Sequence, residues 1–211
     1  MRDSIDTWIF DLDDTLYPAH LGLVGQINKR MTDFVMRELG LDRPAADRWR
    51  DRAWRDHGIT LHALMAERQT DPAVFLAETH DIDYAMLAPD PALTDTIAAL
   101  PGRRVVHTNG ARSHALRVLE KLEIDHLFET VWAIEDAGLI AKPRPEATAN
   151  LLTSLAVDPA RAAMIEDSPG NLRPAKVAGL RTVWVTPQPP ARPPDHIDHI
   201  TSDLAQFLDR L

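Results

Sequence analysis

The chain has no cysteine among its 211 residues. That removes disulfides, thiolate metal centres and cysteine nucleophiles together, and it suits a reducing, cytoplasmic compartment. Basic charge is also short, with 23 Lys and Arg against 32 Asp and Glu and a formal net charge of −9 at pH 7. Such a balance repels a phosphate backbone, so no nucleic-acid polymer is expected as a partner. Apolar runs stay well below the roughly 18 residues that a spanning helix needs. The opening MRDSIDTWIF carries acids where a secretory signal would carry a long apolar stretch, so no membrane partner is expected either. Apolar content of 45% and charged content of 26% are ordinary for a globular chain. The length suits one core with an insertion.

What is present is alternation. Trp8-Ile9-Phe10, Val105-Val106, Ala162-Ala163-Met164-Ile165 and Val183-Trp184-Val185 are short apolar runs, each followed by turn or polar residues. They read as strands buried on both faces and therefore parallel, with Thr130 to Ile134 as a weaker strand between the second and third. Helical spacing separates them: Ala115, Leu116, Leu119 and Leu122 follow Ser113, and Ala149, Leu151, Leu152 and Leu155 follow Pro145-Glu146. The expected fold is an α/β doubly wound parallel sheet.

Residues 18–90 interrupt this pattern because they contain no strand-like run. Leu23, Ile27, Met31, Phe34 and Val35 form one apolar stripe, Ala46, Trp49 and Ala53 a second, Leu61, Leu64 and Met65 a third, and Val74, Phe75 and Leu76 follow Asp71-Pro72. This stretch is expected to be an inserted all-helical cap, with residues 1–17 and 91–211 forming the core. Arg48, Arg52 and Arg55 share a helical face but interleave with Asp47, Asp51 and Asp56, which reads as a solvated face laced by ion pairs. Pro187 to Pro194 is an extended connector, and Thr201 to Leu211 reads as a short closing helix.

Chemistry-bearing residues fall at the ends of the strands. Asp11 and Asp13 stand two apart after the first and would point the same way. Crowded carboxylates repel unless a cation neutralises them, and hard oxygen ligands suit Mg²⁺. Asp clusters there also form turns and helix caps, and on these residues alone both readings stay open. The second strand ends in His107-Thr108-Asn109-Gly110, where a hydroxyl and backbone N–H groups can cradle an anion, although Asn-Gly alone reads as a turn. Glu166 and Asp167 end the run at 162–165, ahead of Ser168 as a helix cap, Pro169 as a first helical residue and Gly179 as a helix end. Lys142 lies in a loop between prolines, where a lysine is ordinarily solvated. Taken together, acids, hydroxyl, lysine and acids follow in order along the sheet edge where open α/β folds bind ligands.

In order and type, Asp11-x-Asp13-x-Thr15, Thr108-Asn109, Lys142 and Glu166-Asp167 resemble the four motifs of the haloacid dehalogenase superfamily. The resemblance spans the core, and the insertion lies where one large subgroup carries its cap. Dehalogenases lack the second acid and the phosphatases keep it, so Asp13 makes the chain look like a phosphatase. A finer resemblance is to the pyrimidine 5′-nucleotidase group, on Asp11-Leu12-Asp13-Asp14-Thr15-Leu16-Tyr17-Pro18, Gly58-Ile59-Thr60-Leu61, Thr108-Asn109-Gly110 and His114-Ala115. His107 and Asp56-His57 depart from that group's pattern.

The resemblance implies a Mg²⁺-dependent phosphomonoester hydrolase working through an aspartyl phosphate. Asp11 would be the nucleophile and Asp13 the general acid and base, with Thr108, Asn109 and Lys142 holding the phosphoryl oxygens. Asp11, Asp167 and the carbonyl of Asp13 would hold Mg²⁺, and Glu166 would reach it through water or orient Asp167. Tyr17 and His20 are expected to touch the leaving group, His114 either reaches the site or serves as a structural hydrogen-bonder, and the cap would close over the site and select substrates. The expected partner is a small phosphorylated metabolite, a pyrimidine nucleoside monophosphate by the finer resemblance, acted on by a monomer or homodimer. A sugar phosphate or phosphoglycolate phosphatase is the alternative within the superfamily, and a degenerate phosphatase kept as a binding module is the non-enzymatic one. A phosphorylation-driven receiver shares the residue types but has no room for the insertion.

Overall fold

The computed structural model describes residues 4–211. Along the chain, β1 (Thr7–Phe10), β2 (Arg103–His107), β3 (Thr130–Trp132), β4 (Ala162–Glu166), β5 (Arg181–Val185) and β6 (His199–Thr201) form one sheet in the order β3-β2-β1-β4-β5-β6. Every neighbouring pair is parallel. β1 and β4 are buried at every position, as central strands covered on both faces must be, and neither carries a polar alternation.

Helices α5 (Pro91–Ala98), α6 (Arg112–Lys121), α7 (Pro145–Ser154), α8 (Pro169–Ala178) and α9 (Leu204–Asp209) complete the layers. One cluster joins Ile9, Val105 and Met164 of the sheet to Leu151, Leu152 and Leu172 of α7 and α8. Trp8 is fully buried, and its indole N–H donates to the Pro101 carbonyl at 2.9 Å, so its one polar atom is satisfied. Gly102 precedes β2 with φ +78°, and a Cβ there would stand 2.2 Å from the Asp6 carbonyl oxygen. Only glycine lets the two backbones approach this closely where Arg103 N donates to that same oxygen.

The chain divides into two compact units, one formed by the residues up to Pro18 with Leu87–Leu211, the other by Ala19–Met86. The second holds α1 (Leu23–Leu39), α2 (Arg43–His57), α3 (Thr60–Arg68) and α4 (Pro72–Thr79). Asp42 and Asp71 cap α2 and α4 by accepting from Ala45 N and Ala73 N, and each precedes a first turn that contains proline. Leu23, Ile27, Phe34 and Val35 bury one face of α1, and Phe34 meets Phe75 edge-on at 5.1 Å between centroids. Arg48, Arg52 and Arg55 are exposed, as the interleaved acids predict.

Several expectations need correction. β6 has no fully buried residue and so lacks the apolar run that marks the other strands. α5 lies outside the sequence-based assignment. Val74 and Leu116 face solvent at 46% and 49% exposure although their spacing suggests core positions. Ser168 stands at the start of α8 without a side-chain cap bond. Leu87 is buried and belongs to the sheet unit, short of the predicted boundary at residue 90. Residues 187–194 are exposed, with no helix or strand. Among the described residues, no helix is long and apolar enough to cross a membrane.

Candidate active site

The carboxyl ends of β1, β2 and β4 meet because β1 is hydrogen-bonded to both neighbours, pairing Phe10 with Val106 and with Ile165. The residue after each strand is therefore carried to one edge. Asp11 continues β1, its N–H donating to the Ile165 carbonyl at 2.9 Å. Its side chain is buried, with Lys142 Nζ at 2.6 Å from Oδ1 and the Thr15 hydroxyl donating to Oδ2 at 3.2 Å.

Lys142 is the hub, contrary to the expectation for a loop lysine. It is 4% exposed and donates to Asp11 Oδ1, to the His107 carbonyl at 2.7 Å and to Glu166 Oε2 at 2.8 Å. Burial alone would push its ammonium down, but the charges of Asp11 and Glu166 hold it above its ordinary value. Asn109 fixes the loop: its Nδ2 donates to the Lys142 carbonyl at 2.9 Å while its Oδ1 accepts from Lys142 N at 2.8 Å. Both polar ends of the Asn109 side chain are thus engaged with the Lys142 backbone.

Glu166 is 1% exposed and surrounded by donors, with Asn171 Nδ2 at 2.8 Å and Ser168 N at 3.3 Å from Oε1. Asn171 is a site residue that sequence reasoning misses, since nothing in the local pattern of α8 marks it. Asp167 is half-buried, and its carbonyl accepts from the Trp184 indole at 2.6 Å. Asp11, Glu166 and Asp167 each offer an oxygen, all within 4.8 Å of one another.

One ammonium cannot neutralise three carboxyls. Burial, then the charge of Glu166, pushes Asp11 up to about 7 against the pull of Lys142. Burial and the charge of Asp11 push Asp167 up to about 6, and burial also raises Glu166. A divalent cation between Asp11 and Asp167 would remove that excess charge, so the donor set fits a hard metal ion. Between about 4 and 7 the native state holds more protons at Asp11 and Asp167 than the unfolded chain, so metal-free stability falls as pH rises through that window. With chelator present, the melting temperature is expected to be lower near pH 8 than near pH 5, and the drop should shrink in Asp167→Asn. An equal drop in the variant would show that Asp167 is not strained.

Thr108 is 2% exposed, and its hydroxyl accepts from Gly110 N at 2.9 Å. Asp13 Oδ1 accepts from the Tyr17 hydroxyl and lies 2.7 Å from His114 Nε2. Burial and then the Asp13 charge keep the Tyr17 phenol well above its ordinary pKa, hence protonated. The structure therefore engages Tyr17 with Asp13. His107 contributes its carbonyl to Lys142; its ring is buried and held neutral by burial and by the lysine charge. Among the residues expected at the site, Asp11, Asp13, Tyr17, Thr108, Asn109, Lys142, Glu166 and Asp167 lie in the sheet unit. His20 lies in the helical unit, exposed on the turn Ala19–Leu21.

Comparison with known proteins agrees with the fold. A protein of Saccharomyces cerevisiae named phosphate metabolism protein 8 is 27% identical over 82% of this chain, which spans 59% of that relative's length. A glyceraldehyde 3-phosphate phosphatase of Methanopyrus kandleri is 28% identical over 84% of this chain and 82% of its own. A validoxylamine A 7′-phosphate phosphatase of Streptomyces hygroscopicus subsp. limoneus is 27% identical over 94% and 93%. Among solved structures, an HAD phosphatase from Thermococcus onnurineus superposes with a TM-score of 0.62 at 19% identity, over 98% of this chain and 97% of that one. A 2-haloacid dehalogenase from Pseudomonas syringae pv. Tomato does so with 0.63 at 24%, over 97% of both chains, so these likenesses bear on the fold. The haloacid dehalogenase-like hydrolase family profile matches residues 5–179, a span that holds every strand-end group described above, and the chain belongs to that family.

Proposed function

We propose that the chain hydrolyses phosphomonoesters through an aspartyl phosphate formed on Asp11. The observation that carries this reading is the pair at the end of β1: a buried Asp11 pinned by Lys142, with a second acid, Asp13, two residues on. In the first step Asp11 attacks phosphorus while Asp13 protonates the leaving alcohol; in the second, Asp13 takes a proton from the water that opens the acyl phosphate. Thr108 and Lys142 hold phosphoryl oxygens, and Asn109 serves through its hold on the Lys142 loop. Asp11, Asp167 and the Asp13 carbonyl are the groups proposed to hold Mg²⁺, with Glu166 reaching it through water or orienting Asp167, and holding Lys142. A bound Mg²⁺ would supply neutralising charge to the phosphoryl oxygens.

The substrate read from the finer sequence resemblance is a pyrimidine nucleoside 5′-monophosphate. A second reading, a sugar phosphate, draws support from the names of the archaeal and streptomycete relatives. Phosphate release from a panel of nucleoside and sugar monophosphates decides between them. Pyrimidine monophosphates are expected to lead, chelation is expected to abolish turnover, and Ca²⁺ should restore it poorly because its looser shell misplaces Asp11. A sugar phosphate leading the panel would replace the nucleotide reading. Full turnover in chelator would remove the metal from the mechanism.

A further inference from the structure

We infer that His114 and Tyr17 are positioning residues for Asp13, clamping Oδ1 so that Oδ2 is the atom that carries the proton of the reaction proposed above, on which this inference rests. Both donors are deep, with His114 1% and Tyr17 3% exposed. They reach Asp13 from two separate segments of the chain. Tyr17 lies one turn on from Asp13, and His114 lies in the first turn of α6, yet both meet the same oxygen. A carboxylate oxygen accepts, so the His114 proton facing Asp13 is on Nε2. With two donors on Oδ1, the acidic proton of Asp13 resides on Oδ2.

Gly110 shows where Oδ2 looks. A Cβ built there would stand 3.1 Å from His114 Cδ2, 3.2 Å from Thr108 Oγ1 and 3.4 Å from Asp13 Oδ2. The imidazole, the hydroxyl and Oδ2 thus crowd the same face of Gly110, which puts Oδ2 beside the proposed phosphoryl ligand Thr108. The χ2 torsion of an aspartate is broad and roughly two-fold, so an unclamped carboxylate would exchange its oxygens. The clamp removes that exchange.

The proton balance is then specific. As the phosphorus–oxygen bond to the leaving alcohol breaks, Oδ2 gives its proton to that oxygen. As water bonds to phosphorus and the bond to Asp11 Oδ breaks, Oδ2 takes a proton from the water and the site returns to its starting state. Positioning a general acid matters most when the leaving oxygen is basic and little when it leaves readily unprotonated.

The test compares an alkyl phosphate with 4-nitrophenyl phosphate for the wild type, Asp13→Asn, Tyr17→Phe, His114→Phe and His114→Gln. Thermal melts check that each variant is folded. His114→Phe and Tyr17→Phe are expected to lower kcat on the alkyl ester by about 10- to 100-fold, with a much smaller loss on the aryl ester and little change in KM. His114→Gln, which offers an amide donor near the Nε2 position, should recover most of the alkyl activity. Equal losses on both esters, or losses only in KM, would overturn the clamp and leave His114 and Tyr17 as packing residues. The parallel Asp13→Asn arm separates the two failures. If that variant discriminates between the esters and the clamp variants do not, only the clamp is wrong. If it treats both alike, the role of Asp13 falls and the clamp with it.

Discussion

Asp11→Asn is expected to lower phosphomonoester turnover by on the order of 10⁴-fold or more while the protein remains folded. An amide cannot attack phosphorus. The fold should survive because the substitution removes a charge that burial and Glu166 both penalise, while Lys142 keeps Glu166 and the His107 carbonyl as partners. Phosphate release together with a thermal melt reads both halves of the expectation. Turnover near the wild-type value would end the aspartyl phosphate proposal. Collapse of the fold would show that Asp11 is needed for structure as well.

Lys142→Met should do what Asp11→Asn does not and damage both activity and stability. Removing the ammonium strands Asp11 and Glu166, each buried, without their shared counter-charge. Breaking one side of a buried ion pair costs about 3–5 kcal/mol, because the remaining charge has lost its compensation. The loss has a direction in pH. Without the lysine the two carboxyls hold their protons more tightly in the native state, so the deficit is small in acid and grows where the wild-type native carboxyls ionise, near 7 for Asp11. Urea denaturation near pH 5 and near pH 8.5 measures this. Adding Asp11→Asn to Lys142→Met should return part of the lost stability at the higher pH, since only one acid is then left uncompensated. A deficit independent of pH would mean that packing of the lysine stem, and not its charge, sets the cost.

Much of this site is legible in the sequence because it sits on strand ends. An apolar run followed by acid or hydroxyl is a local pattern, and parallel pairing carries every such end to one edge, so Asp11, Thr108, Glu166 and Asp167 are found without knowledge of the fold. Lys142 is not legible that way. Its loop reads as solvated, and only three acceptors from distant segments explain why it is buried. The same limit applies to His114, whose partner Asp13 lies 101 residues away, and to Asn171. β6 escapes notice for a different reason: as an edge strand with no fully buried residue it lacks the apolar run that marks its neighbours. Leu116 and Val74 show the reverse error, in which a helical stripe wider than the buried face counts exposed residues as core.

The placement of β1 also governs how the molecule can be made. Thr7 pairs with Arg103 on one side and Ala162 on the other, so this fully buried strand waits for partners far along the chain before a single ladder can close. Long-range parallel pairing of this kind is slow, and the waiting segment Trp8-Ile9-Phe10 is an apolar strand with both edges open. The helices of Ala19–Met86, by contrast, contact one another over short separations, α1 with α2 and α2 with α3. During synthesis the helical unit can condense while β1 stays unpaired, and the sheet closes only after Glu166 has emerged. A nascent chain halted before β4 therefore exposes its stickiest strand, and chaperone dependence or aggregation should peak for truncations ending between β2 and β4.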